Sequence, residues 1–434
     1  MDFTCQGLRF KFNNIRRLRT NEKEELIHWL KIIIYTTQIL KTFSYFIILL
    51  IINIVHCKAM EPSDSIKIKN KYIYTSYFQY GKVLATNPYL KLAHSADDKT
   101  IQYTALSFQV LKQTTGKEFW ERDYGYPSYG IGVYSANFFE NKDFGFPIAI
   151  YGVFKAPFKR WDKLSFNYES GFGLTFNWKS FNPVKNDYNP SLGAKESVFI
   201  DLGINLNYEL DRHFDLGIGY SFTHFSNGAI KSPNLGLNTF SPKIVLAYNV
   251  NRFKPQPVRQ SNKGFVKNTT IDFSIFGGIK NVIYKGNDVD TITKYKGVYY
   301  PVFGFTTVLN RQINPKSKIG FGATLSYDGS SNSIIYVDNG ELEPAGGFHA
   351  DRLNLSIFPS YELMINKLSL VVQSGFYILR RQTVTTKPMT YQRLGLHYQL
   401  NENLFAGIVL HAYSYHISDF IEWTLGYRLS LTKR

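Results

Sequence analysis

The chain has 434 residues, 16% of them Phe, Tyr or Trp and only 19% charged, a balance that excludes a disordered chain. Lys and Arg outnumber Asp and Glu by 50 to 33, a net charge of +17 that suits an anionic surface, either nucleic acid or phosphate-bearing lipid. Beyond residue 60 no apolar run approaches the roughly 20 residues a spanning helix needs, which excludes a polytopic helical membrane protein, and both cysteines, Cys5 and Cys57, lie before that point, so the rest of the chain holds no disulfide framework and no cysteine zinc site.

Residues 43–55, FSYFIILLIINIV, form a short apolar run preceded by Lys41 and by the basic residues Arg16, Arg17, Arg19 and Lys31. That length fits the core of an export signal better than a spanning helix. Cys57 and Ala59 place small residues for cleavage after Ala59, so residues 1–59 read as a leader. A short membrane anchor is the alternative. A lipoprotein signal at Cys57 fits poorly because the bulky His56 precedes it. The basic region is long for a signal, and translation is expected to start nearer residue 40.

From about residue 71 one pattern repeats: stretches of alternating apolar and polar residues, separated by Gly, Asn, Asp, Pro and Lys. Period-two alternation is the signature of a strand with two unlike faces. In 198–209, Val198, Ile200, Leu202, Ile204, Leu206 and Tyr208 share one face, and Phe199, Asp201, Gly203, Asn205, Asn207 and Glu209 the other. Residues 318–328 and 421–431 divide in the same way. About 16 such segments begin near residues 72, 101, 129, 146, 163, 196, 213, 239, 269, 298, 317, 352, 367, 390, 403 and 419.

Strands near ten residues long, with aromatics at their ends and an export signal before them, describe an outer-membrane β-barrel. A soluble sandwich would use shorter strands. The expected fold is all-β, an antiparallel transmembrane barrel of about 14–16 strands over residues 60–434. Short connections at 210–212, 310–316, 364–366 and 401–402 follow even-numbered strands, and long ones such as 177–195 and 329–351 follow odd strands, as barrel turns and outer loops should. The connections 113–128 and 251–268 break this rule. The second carries Pro255 and Pro257 and could join two eight-stranded barrels, the alternative to one continuous barrel.

The seventh segment runs from His213. Its apolar face is Phe214, Leu216, Ile218, Tyr220 and Phe222, and the same parity continues to His224 and Ser226. A barrel with a polar interior turns that face to lipid. Residues two apart on a strand stand about 6.6 Å apart on one face, so the imidazole can lean over the hydroxyl, and Ser needs such a base to become a nucleophile. The plain alternative is a polar pair at headgroup level.

His224-Phe225-Ser226-Asn227-Gly228, followed by Pro233-Asn234-Leu235-Gly236-Leu237-Asn238, resembles the PagL family of lipid A 3-O-deacylases, the acyloxyacyl hydrolases. Their pattern is His-x-Ser-Asn, then Asn-x-Gly at a set spacing. The stretch from Trp120 to Tyr134 is similar to longer bacterial relatives. The resemblance implies an outer-membrane barrel that removes an ester-linked acyl chain from lipid A, with residues 71–250 the deacylase-like portion. Residues 265–434 supply further strands, to which no site is carried over. On the same resemblance Ser226 is the nucleophile and His224 the general base. Asn234 supports the oxyanion, with backbone N–H groups near Asn227 and Gly228 as donors. The family's third triad member is a Glu. Here that position is Asn238, whose amide can orient the ring but cannot stabilise the imidazolium by charge. In a serine protease the same acid-to-Asn exchange cost about 10⁴ in kcat.

Other candidates carry less. His349, His411 and His416 read as rim histidines without metal spacing. Asp201, Asn205, Asn207, Glu209 and Asp215 read as a lumen hydrogen-bond network. Gly130-Ile131-Gly132 lies in a strand with no helix after it and is no nucleotide loop. The expected function is a carboxylic ester hydrolase acting on lipopolysaccharide in the bacterial outer membrane, with no metal or organic cofactor and no nucleic-acid partner. A homodimer is left open. The alternatives are a passive channel and a structural barrel whose triad has decayed at Asn238.

Overall fold

Period-two alternation over sixteen segments becomes sixteen long strands in the computed structural model, which describes residues 71–86, 90, 101–139, 144–187, 189–255, 265–381, 388–415 and 417–431. The expected leader, its cleavage after Ala59, the start near residue 40, and His416 lie outside the described residues. Eight strands form a first closed antiparallel barrel: β1 Tyr72–Val83, β2 Gln102–Gln113, β3 Ser128–Phe138, β4 Gly145–Arg160, β5 Leu164–Trp178, β6 Ser197–Glu209, β7 Phe214–Ser226 and β8 Leu237–Asn249. A second closed barrel uses β9 Thr269–Val282, β10 Val298–Asn314, β11 Ser317–Asp328, β14 Leu353–Ile365, β15 Leu368–Arg380, β16 Thr390–Gln399, β17 Leu404–Tyr413 and β18 Ile417–Ser430. Two four-residue strands, β12 Ile335–Asp338 and β13 Glu341–Pro344, make a hairpin in the loop between β11 and β14. Two short helices, α1 Phe119–Asp123 and α2 Thr291–Lys296, lie in connections. Among the described residues no helix is long and apolar enough to cross a membrane.

The single continuous barrel gives way to the two-barrel alternative. β8 turns back onto β1, pairing Tyr74 with Tyr248 and Phe78 with Ile244, and β18 onto β9, pairing Ile275 with Leu425. Each ring thus satisfies all its edge hydrogen bonds without the other. The connection between β8 and β9 carries Pro255 and Pro257, and proline lacks the N–H a ladder needs. The other irregular connection, 114–127, holds α1 and ties the barrels together at their short-turn end. There the Tyr124 Oη donates to the Met364 carbonyl at 2.8 Å, and the Lys316 Nζ donates to the Asp123 carbonyl at 3.2 Å.

The outer walls are apolar, as the alternation requires: Leu202, Ile204, Ile218, Ile319, Phe321 and Trp423 are all exposed. The lumens are filled. In the first barrel Glu169 accepts from Tyr77 at 2.6 Å and from Gln109 at 3.0 Å, and Asp201 accepts from Thr223 at 2.7 Å and from Ser221 at 3.2 Å. Asn205 belongs to the same interior, accepting from Asn167 at 3.4 Å. Asp215 and Glu209 stand at the short-turn end, paired with Arg252 at 2.7 and 3.6 Å. Above the polar tier Tyr134, Tyr151, Phe199, Phe225 and Trp178 pack ring against ring, with Trp178 and Phe225 centred 4.9 Å apart.

The second lumen is crossed by ion pairs. Arg428 binds Asp272 at 2.8 Å and Glu362 at 3.1 Å, Lys280 sits between Asp328 and Asp419 at 2.8 and 2.9 Å, and Arg393 pairs with Glu422. His411 is not a rim residue: it faces inward on β17, buried, within 3.2 Å of the Tyr377 hydroxyl. Breaking one of these pairs leaves a bare buried charge. Arg393→Ala, which strips Glu422 of its counter-charge at 1% exposure, is expected to cost about 3–5 kcal/mol, read as a lower urea midpoint of the lipid-reconstituted protein. An unchanged midpoint would show that the pair carries no net stabilisation. With both bores filled, planar bilayers containing the protein are expected to show no steady conductance. Regular ion-selective steps would contradict the filled lumens.

Candidate active site

β7 and β8 form a hairpin whose register places His224 directly opposite Asn238. Both side chains leave the strand on the outer wall, because their neighbours of opposite parity, Thr223 and Thr239, are fully buried inside. The His224 Nδ1 and the Asn238 Oδ1 are 2.6 Å apart. The Asn238 Nδ2 donates to the Thr86 Oγ1 at 2.8 Å. With the amide this way round, its oxygen meets the ring and accepts from Nδ1–H. The tautomer follows: Nε2 keeps its lone pair and is the nitrogen able to take a proton.

Ser226 ends β7 on the same outward parity, at 4% exposure. Its Oγ receives two hydrogen bonds, from the Asn234 Nδ2 at 3.0 Å and from the Gly228 N–H at 3.1 Å. Among the described residues no hydrogen bond joins His224 to Ser226. With the lone pairs of Oγ taken up by donors, its own hydrogen is the one left to give. Catalytic hydrogen bonds are often long before substrate binds.

The loop between the strands is built to deliver those donors. Gly228 has φ +62, a left-handed conformation that glycine adopts without a Cβ penalty. The Asn227 side chain closes the turn on itself, donating to the Lys231 carbonyl at 2.7 Å and accepting from the Ala229 N–H at 3.0 Å. The Asn227 N–H, expected as an oxyanion donor, instead donates to the Asn234 Oδ1 at 3.1 Å. This bond orients the Asn234 amide so that Nδ2 reaches Ser226. The donors that converge on the serine are therefore Gly228 and Asn234, and Asn227 acts by holding Asn234. Gly236, with φ +72, leaves room for the ring: a Cβ there would stand 3.2 Å from the His224 Cε1.

Thr86 was not visible in the sequence as part of the site. It lies just beyond β1, about 150 residues from Asn238, and only closure of the first barrel brings the two together. Below His224 the outer wall carries a shallow groove of about 490 Å³, lined by Ile204, Leu206, Ile218, Tyr220, Pro242 and Ile244. Tyr220 and Phe240 stack on its upper edge with ring centres 5.5 Å apart.

Residues 104–247 match the family described as lipid A 3-O-deacylase (PagL), and residues 269–431 match the acyloxyacyl hydrolase C-terminal domain. The chain belongs to the PagL family. Lipid A deacylation is the activity of that family, and the two matches together take in most of the first barrel, from within β2 into β8, and the whole second barrel. No curated protein matches the chain. Solved structures that match include the toluene transporter TodX of Pseudomonas putida, at 9% identity over 84% of this chain and 89% of that one, with a TM-score of 0.16. The siderophore receptor PirA of Acinetobacter baumannii matches at 8% identity over 85% of this chain and 81% of that one, with a TM-score of 0.23. At those scores neither bears on the function of this chain.

Proposed function

We propose that the protein is a serine esterase of the bacterial outer membrane that hydrolyses an ester-linked acyl chain of lipopolysaccharide. The observation that carries this reading is the 2.6 Å His224–Asn238 contact, standing on the lipid-facing wall beside a serine that already receives two donors. The groove beneath supports it, since its apolar lining can pack against an acyl chain of a lipid in the same leaflet. The net charge, +12 once residues 1–59 are set aside, suits a phosphate-bearing lipid.

In this mechanism the Ser226 Oγ attacks the ester carbonyl carbon while the His224 Nε2 takes its proton. The Gly228 N–H and the Asn234 Nδ2 turn from the hydroxyl to the oxyanion that forms beside it. Each such donor is worth about 10²–10³ in rate. The imidazolium returns its proton to the departing sugar oxygen, leaving an acyl ester on Ser226. Water, deprotonated by the same ring, then releases the fatty acid. Asn238 holds the ring throughout through Nδ1.

The test is a mass comparison of lipid A from cells lacking the protein, expressing it, and expressing Ser226→Ala. The expected result is loss of one acyl chain with the wild-type protein only. Identical lipid A in all three would overturn the substrate assignment.

A further inference from the structure

The serine loop does not stand free above its own barrel. Ile421 of β18 and Leu410 of β17 are paired across the outer wall of the second barrel. A Cβ placed on Gly228 would lie 2.5 Å from the Ile421 Cδ1 and Cγ1 and 3.6 Å from the Leu410 Cδ1. Ile421 has outward parity, like Trp423 and Leu425, yet it is 8% exposed where they are 66% and 50% exposed. The loop accounts for the difference. A second contact lies four residues further on, where the Ser232 N–H donates to the Asn281 Oδ1 of β9 at 3.1 Å. Asn281 is held in turn by its Nδ2, which donates to the Lys296 carbonyl at 3.0 Å.

Gly228 is thus constrained twice. Its left-handed φ aims its N–H at the Ser226 Oγ, and its bare Cα lets Ile421 press against the same peptide. We infer that the second barrel is a positioning element of the active site, with Ile421 and Asn281 holding the 227–236 loop so that the Gly228 N–H and the Asn234 amide meet the reacting oxygen. This inference rests on the esterase reading. Neither residue touches the acyl group. They act through the loop, and a displacement near 1 Å of a donor at a reacting centre can cost about 10²-fold.

The experiment uses the full chain in detergent micelles. Wild type, Ile421→Ala, Ile421→Val, Asn281→Ala and Asn281→Asp are compared for lipopolysaccharide hydrolysis, for labelling of Ser226 by a small fluorophosphonate, and for amide exchange across residues 227–236. Ile421→Ala and Asn281→Ala are expected to lower kcat between about tenfold and 10²-fold with KM within twofold, to slow labelling in parallel, and to speed exchange in the loop. Ile421→Val, which keeps the β-branched contact, is expected to restore most of the rate, and Asn281→Asp, which keeps the acceptor for Ser232 but loses the bond to the Lys296 carbonyl, only part of it. Wild-type kcat, labelling and exchange in both alanine variants would overturn the inference. If the wild type itself neither hydrolyses nor labels, the esterase reading fails. The exchange data still decide whether the second barrel holds the loop, and unchanged exchange overturns that too.

Discussion

Ser226→Ala is expected to abolish release of fatty acid from lipid A, a fall of roughly 10⁴–10⁶ in kcat, and His224→Ala to do the same. The size follows from how the two groups act. Without the hydroxyl no acyl-enzyme forms. Without the imidazole the hydroxyl stays protonated and is a poor nucleophile. They work on one proton transfer, so the double variant should be no slower than either single one. Both side chains leave the barrel on its outer wall and neither belongs to the lumen networks, so the variants should fold and migrate as the wild type does. Fatty-acid release by purified protein reads the outcome. Activity retained in either single variant would remove the nucleophile and base assignments.

The second large effect is a gain. Asn238 Oδ1 stands 2.6 Å from the His224 Nδ1, so the ring is already oriented. What the amide lacks is charge: on the proposed mechanism Asn238 offers no anion to the imidazolium that forms when Nε2 takes the serine proton. Asn238→Glu, which installs the carboxylate that the PagL resemblance expects there, should raise kcat by up to about 10⁴-fold. Asn238→Asp is the isosteric control, keeping the distance to the ring and the neighbour at Thr86. Asn238→Ala removes both orientation and partner and should lower kcat by at least about tenfold. If Glu and Asp both leave kcat unchanged while Ala lowers it, orientation is the whole contribution of this position. If none of the three matters, Asn238 is not part of the machinery.

Much of this was legible in the sequence because strand parity is local information. Segment starts expected near 72, 196 and 317 fall at Tyr72, Ser197 and Ser317. The inward and outward faces of β6 and β7 follow the alternation residue by residue. The 224–238 pairing also follows, since a hairpin's register is set by its loop and its faces. Closure was not legible. Which strand meets β1 is decided by partners far apart in sequence, and alternation is the same for eight strands as for sixteen. The hairpin β12–β13 carried a signal that went unread: Asn339 and Gly340 both take positive φ, as a two-residue turn of this kind requires. Thr86, Asn281 and Ile421 carried none, because each reaches the site only through barrel closure or through contact between barrels. The bond from the Asn227 N–H to the Asn234 amide was not legible either, since the motif gives the position of Asn227 but not which of its groups that amide occupies.

The outward parity of His224 and Ser226 has a kinetic consequence. On the esterase reading, a serine and base of outward parity meet molecules already dissolved in the same leaflet, which reach them by sliding sideways in two dimensions. Turnover should then scale with the mole fraction of acylated lipid in the surface and not with its amount per volume of solution. Diluting the membrane with inert lipid would slow the enzyme at constant total substrate, whereas diluting the vesicles in buffer would not.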